Sequence, residues 1–239
     1  MSGQRVGIIG DGGLADVVET AGGEAVVGLP EKLDDVSIVL AAGEAALVEV
    51  ARAPVDAPVL PVDAGAGVRS VPRSAVESAL ERLLERAAPT ERHPVISARG
   101  AFAAVDALLD VALMAAEPAR ISEFSVRCDG EQVARFRADG VVASTPAGSV
   151  GYNSAADGPA VAPETDVLSV VPVAPFATDA DRWILPADEV VLSVERDETP
   201  VELLADGRTE RTVAAGDPVT LSHSADLETF VVPESGRFF

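Results

Sequence analysis

One cysteine, Cys128, occurs in 239 residues. A single thiol excludes an intrachain disulfide and a thiolate zinc cluster. Histidine is nearly as scarce, with His93 and His223 far apart in sequence, which argues against a structural metal site. Aromatic residues make up 4% of the chain against 48% hydrophobic residues overall, so alanine, valine and leucine must fill any core. No apolar run reaches spanning length. Met1 to Arg5 leads into a short strand-like VGIIG, too short for a signal peptide or a membrane helix. The expectation is a soluble, cytoplasmic protein. Lysine is absent except for Lys32; every other basic residue is arginine. With 39 acidic and 18 basic residues the formal charge is −21. Nucleic acid and anionic membrane are poor partners for that charge. The acids are dispersed rather than gathered in a tail. Two readings follow: adaptation to high salt, where screening weakens self-repulsion, or an ordinary acidic cytosolic protein. Lysine depletion favours the saline one.

What is present is a two-part pattern. Val6 to Ile9, Ala25 to Val27, Val36 to Ala41 and Val59 to Val62 read as short strands. Leu14 to Ala21, closed by Gly22-Gly23, and Glu44 to Arg52 read as the helices between them. Alternation of this kind predicts a small parallel α/β layer. Gly10-Asp11-Gly12-Gly13 fits either a pyrophosphate-binding turn or a plain strand-to-helix turn. Asp11 beside a phosphate is unhelpful, so the plain turn is the better fit. Ser74 to Ala87 is the clearest helix, with Val76, Leu80, Leu83 and Leu84 on one face. The stretch from Ala88-Pro89 to Pro94 breaks it and marks a boundary. Beyond it the pattern is mostly β. Strands are expected at Val95–Ser97, Glu123–Cys128, Gln132–Ala138, Gly140–Ser144, Val167–Pro172, Glu189–Val194, Val201–Leu204 and Pro218–Ser222. Asp129-Gly130 and Asp206-Gly207 read as hairpin turns. Ala101 to Leu113, rich in alanine, leucine and valine, reads as a buried helix. The expected domains are 1–88 and 94–239, with the tail 227–239 packing back on the first.

Asp139 to Pro163 reads DGVVASTPAGSVGYNSAADGPAVAP. A β-prone run ends in Thr145-Pro146-Ala147-Gly148-Ser149; Tyr152 and a second turn at Asp157-Gly158-Pro159 follow. This segment resembles the nucleotide-binding signature of the NAD kinase family, DG-x4-TPTGSTAY-x2-SAGGP. Phe176 to Pro186 and Leu227 to Phe239 resemble that family's C-terminal segments. The resemblance implies an NAD-kinase-like fold of class α/β + β: a small N-terminal parallel α/β unit and a β-rich C-terminal unit, with the ligand in the crevice between them. It implies nucleotide contacts from Gly43, Asp139, Gly140, Thr145, Gly148, Ser149 and Tyr152. Tyr152 has two readings, a ring stacked on a base or nicotinamide, or interdomain packing. The resemblance also implies NAD(P) as ligand or substrate, Mg²⁺ with ATP or polyphosphate, and a homo-oligomer. No protein metal ligand is expected.

Several positions depart from the family pattern. The catalytic GGDG reads Ala42-Gly43-Glu44-Ala45. Glu44 keeps the carboxylate one methylene further out, and Ala45 disfavours positive φ. A misplacement of about 1 Å costs on the order of a hundredfold in rate. Glu44 is then either the general base or a solvated first-turn acid. The family's Asn-Glu pair follows an Ala-Leu; after Ala112-Leu113 stand Met114 and Ala115, and Glu117 compensates only with a shift of register. Ala147, Val150 and Ala155 each lack a hydroxyl, and each lost hydrogen bond is worth about 0.5–1.5 kcal/mol. Two functions therefore stand: a nucleotide-binding homologue that senses NAD(P) or modulates a catalytic paralogue, or an active kinase phosphorylating the adenosine-ribose 2′-hydroxyl of NAD.

Overall fold

The computed structural model describes residues 4–33, 35–53, 55–117, 120–177 and 180–238. Parts of three sequence expectations lie outside them: Met1 to Gly3, Thr178 and Asp179 within Phe176–Pro186, and Phe239 of the tail. The chain divides into two compact units, Met1–His93 with Asp226–Phe239, and Pro94–Ala225.

The first unit is built on β1 (Arg5–Ile9), β2 (Glu24–Val27), β3 (Ile38–Ala42) and β4 (Val59–Val62). They pair in the order β2-β1-β3-β4, all parallel. Thr229, in the last strand of the chain, adds a parallel pair with Val59. Strands β1, β3 and β4 are buried almost throughout, which is why they read as unbroken apolar runs. α1 (Ala15–Thr20) links β1 to β2, α2 (Glu44–Ala51) links β3 to β4, and α3 (Val76–Glu85) follows β4. α3 buries Val76, Ala79, Leu80 and Leu83, one stripe at helical spacing; Leu84 is only partly buried. Val6, Ile8, Leu40, Leu60 and Leu80 are among its core residues. The Gly10–Gly13 segment is a strand-to-helix turn. Asp11 accepts the Gly13 N–H at 2.8 Å and caps a short 3-10 turn, and it pairs with Arg73. The C-terminal tail is held to α3 by Arg82 and Glu234, 3.1 Å apart.

The second unit is almost entirely β. A six-stranded antiparallel sheet runs in the order β12 (Trp183–Pro186), β11 (Val167–Val173), β10 (Gly140–Ser144), β7 (Asp110–Ala115), β14 (Val201–Ala205) and β15 (Arg208–Val213). β8 (Ser122–Cys128) pairs with β9 (Glu131–Ala138) and β13 (Val190–Arg196). β13 in turn pairs with the start of β16 (Pro218–Phe230), and β5 (Thr90–Gly100) pairs with β6 (Phe102–Ala107). β5 begins in the first unit, and β16 ends in it. Alternate residues such as Val111, Leu113, Val141, Ala143, Leu168, Val170 and Leu203 form the core with Val126, Leu192 and Val194, and Phe124 supplies its buried ring.

One expectation is overturned. Ala101 to Leu113 is not a helix but β6, a turn and the start of β7. The run reads as helical because alanine and leucine dominate it. In β7, Val111 and Leu113 belong to the core while Ala112 and Met114 belong to a small cluster on the sheet's other face. A strand apolar on both faces has no period-2 signature.

Candidate functional site

The signature segment supplies β10, an interior strand of the six-stranded sheet, and the turns that follow it. Asp139 ends the turn from β9 into β10; its N–H donates to Val173 O at 3.0 Å, and its carbonyl accepts from Ala115 N–H at 2.8 Å. A Cβ on Gly140 would lie 2.6 Å from Leu113 O, so glycine there permits the close pairing of β10 with β7. Thr145 is fully buried. Its hydroxyl donates to Leu108 O at 2.6 Å and accepts from Gly148 N–H at 3.3 Å. Gly148 packs against the Leu109 carbonyl with no room for a side chain. The Ser149 hydroxyl donates to Pro146 O at 2.7 Å and accepts from Val161 N–H at 2.9 Å. Thr145 and Ser149 thus use their hydroxyls inside the turn and fix its shape.

Tyr152 opens α4 (Tyr152–Ala155), with 42% of its surface exposed. Its hydroxyl lies 3.8 Å from Met114 Sδ. Burial, and then the charges of Asp110 and Asp139, push the phenol pKa up. Beside the ring is a pocket of about 400 Å³, lined also by Asp157, Val173, Pro175 and Arg182. Arg182 pairs with Asp157 at 3.3 Å.

Two residues that sequence reading passed over organise this region. Asn153, fully buried, donates to Ser149 O at 2.9 Å and Pro159 O at 3.0 Å, and accepts from the Ser169 hydroxyl at 2.8 Å. It ties both turns of the signature together. Asp110 is the other. It begins β7, is 8% exposed, and stands opposite Ser144 of β10. The sequence carries a second Ala-Leu, Ala107-Leu108, with the acidic Asp110 two positions on. Ala112-Leu113 lies within β7 instead. Glu117 is exposed and 3.5 Å from Arg120. The Leu108–Asp110 loop is held by Asp206, whose carboxylate accepts from Leu109 N–H at 2.6 Å and Leu108 N–H at 3.2 Å.

Gly43 and Glu44 belong to the first unit. Gly43 has φ +89° and precedes α2, and its N–H donates to Val62 O at 2.8 Å. Glu44 is the exposed first residue of the helix. Ala45 is its second residue, and no positive φ occurs there. The expected strain at Ala45 is therefore absent: the position that needs left-handed backbone is Gly43, where glycine is kept. Among the described residues no cluster of three or more histidine, cysteine or acidic side chains is placed to hold a metal ion. No described helix is long and apolar enough to cross a membrane.

Residues 108–232, more than half of the chain, match the family model for the ATP-NAD kinase C-terminal domain. Similar curated proteins include an NAD kinase of Methanosarcina acetivorans, 36% identical over 123 residues covering 51% of this chain and 45% of that one. An NAD kinase of Gemmatimonas aurantiaca is 36% identical over 135 residues, covering 56% and 46%. The matched part thus spans less than half the length of these relatives. Among solved structures, an NAD kinase from Archaeoglobus fulgidus in complex with ATP is similar in fold, with TM-score 0.78 and 22% identity over 95% of this chain and 94% of that one. Yeast NADH kinase complexed with NADH gives TM-score 0.81 at 17% identity, covering 98% and 85%.

Proposed function

The chain belongs to the NAD kinase family, and from that premise we propose that it binds NAD(P) or a related nucleotide through Asp110, Asp139 and Tyr152, with little or no phosphoryl transfer. The observation that carries the reading is the half-exposed Tyr152 ring, set beside Met114 and within reach of two carboxylates. A planar group can stack on that ring, and the carboxylates can accept hydrogen bonds from hydroxyl or amide donors. Gly140, Thr145, Gly148 and Ser149 act by shaping the backbone around it. Weak transfer follows from the alanines at positions 42 and 45, whose methyl groups crowd backbone that the family leaves bare for phosphate. A homo-oligomer and a cytoplasmic setting belong to the same proposal.

A second reading, an active kinase, is favoured by one observation: the Gly43 turn is intact and presents a carboxylate, Glu44, at the start of α2. In that reading Glu44 takes the proton of the adenosine-ribose 2′-hydroxyl. Mg²⁺, held chiefly by the phosphates of ATP or polyphosphate, supplies charge neutralisation at the transferring group. The test is NADP formation by purified protein in molar KCl with NAD, Mg²⁺, and ATP or polyphosphate. The binding proposal expects no more than trace turnover, unchanged in Glu44→Ala. Clear turnover abolished by Glu44→Ala would establish the kinase instead.

A further inference from the structure

The loop after β13, Asp197 to Pro200, meets the loop after β15, Ala214 to Asp217, at the end of the β14–β15 hairpin remote from its Asp206-Gly207 turn. The Gly216 N–H donates to Val194 O at 2.8 Å and ties the second loop to β13. Between the loops is a pocket of about 560 Å³, which shares no residue with the one beside Tyr152. Asp197, Glu198 and Asp217 are its exposed acids, and Pro200, Val213 and Ala214 give it an apolar side. Thr199 also lines it and is only 7% exposed. The buried Thr199 hydroxyl has no hydrogen bond, and a buried polar group without one is costly. No lysine or arginine lines the pocket. The neighbouring arginines are engaged beside it. Arg137 pairs with Glu198 at 3.5 Å. Arg196 lies with Glu123 in an adjoining pocket, and Arg211 lies 4.5 Å over the Phe102 ring. Among the described residues no ion pair reaches Asp197 or Asp217.

These groups together describe a ligand. Carboxylates on both loops call for positive charge at more than one point. The orphan hydroxyl can accept a hydrogen bond from an N–H donor, and an ammonium group carries three. The apolar side suits methylene groups between such charges. No aromatic ring lines the pocket to favour a flat cation. Among the described residues the acids form no cluster placed to hold a metal ion. We propose that this pocket binds an aliphatic polyamine. Its ammonium groups pair with Asp197 and Asp217, one of them donates to the Thr199 hydroxyl, and its methylenes lie on Pro200, Val213 and Ala214. The bound cation offsets part of the net charge of −21 and stabilises the folded chain by binding it. The inference does not depend on the dinucleotide reading above.

Calorimetric titration of the full chain with spermidine tests this, in the lowest KCl concentration that keeps the protein folded, because salt screens exposed charges. One saturable site is expected. The double variant Asp197→Asn, Asp217→Asn should bind about tenfold more weakly, the loss of two charge contacts. Thr199→Val should bind several-fold more weakly while remaining folded. A control of equal charge, Glu77→Gln with Glu81→Gln on α3, should keep its affinity to within about twofold. Equal weakening in that control, or none in the aspartate variant, would identify general attraction to an acidic surface and overturn the inference. Binding without saturation, or unchanged affinity in Thr199→Val, would overturn it as well. The aspartates are exposed, so their variant still decides the matter if Thr199→Val fails to fold.

Discussion

Burial holds His93 neutral. Its pKa falls from 6.5 to about 4 because desolvation disfavours the imidazolium, and its Nε2 lies 3.0 Å from Thr229 Oγ1 in a fully buried site. The unfolded chain therefore binds a proton that the folded chain refuses between these two values. Stability from this group is fully present above pH 6.5 and is lost as pH falls toward 4. Urea denaturation in molar KCl should show about 2 kcal/mol less stability from this source at pH 5 than at pH 7. His93→Gln should lack that slope; an equal slope would assign it elsewhere. Gly148 and Gly207 separate two uses of glycine. Gly148→Ala drives a methyl into the Leu109 carbonyl and should cost several kcal/mol or abolish folding. Gly207→Ala meets nothing within 4 Å and should cost only about 1 kcal/mol, the penalty for its left-handed φ. Denaturation midpoints of the two variants check the contrast.

At the scale of elements, both hairpins read from sequence are present. Asp129-Gly130 and Asp206-Gly207 join their strands with φ of 51° and 76°, and 49° and 72°, the left-handed pairs that two-residue turns require. In one of them the turn side chain has a second task. Asp206 accepts backbone N–H groups of Leu108, Leu109 and Asp110. Asp206→Asn should therefore destabilise the chain by roughly 1–2 kcal/mol and weaken nucleotide binding, while Asp129→Asn should do neither. Equal effects in thermal melts would refute that assignment. Such tertiary roles are invisible locally, because they depend on which loop the turn meets. The parallel strands, α2, α3 and the signature turn were legible because burial or glycine chemistry marks them within a few residues. β6, β7, β12 and β15 were not. β7 is apolar on both faces, β12 is four residues long, and β15 is polar in five of its six residues and exposed at a sheet edge. Misreading Ala101 to Leu113 as a helix also hid Asp110, since its register in β7 sets it opposite Ser144.

At the scale of the molecule, composition makes its own prediction. A charge of −21 with one lysine repels itself at low ionic strength, and screening removes most of that penalty at 1 M salt. The melting temperature should rise by about 10 °C between 0.2 and 3 M KCl, equivalent to a few kcal/mol for a chain of this size. A flat or falling dependence would make the protein an ordinary acidic one. The most direct test of the central claim is calorimetric titration of NAD⁺ into the full chain and into Tyr152→Ala, both in molar KCl. The account predicts saturable one-site binding that Tyr152→Ala weakens about tenfold or more, the worth of a lost stacking contact near the site's carboxylates. Absence of saturable binding to folded protein, or equal affinity in the variant, would contradict it.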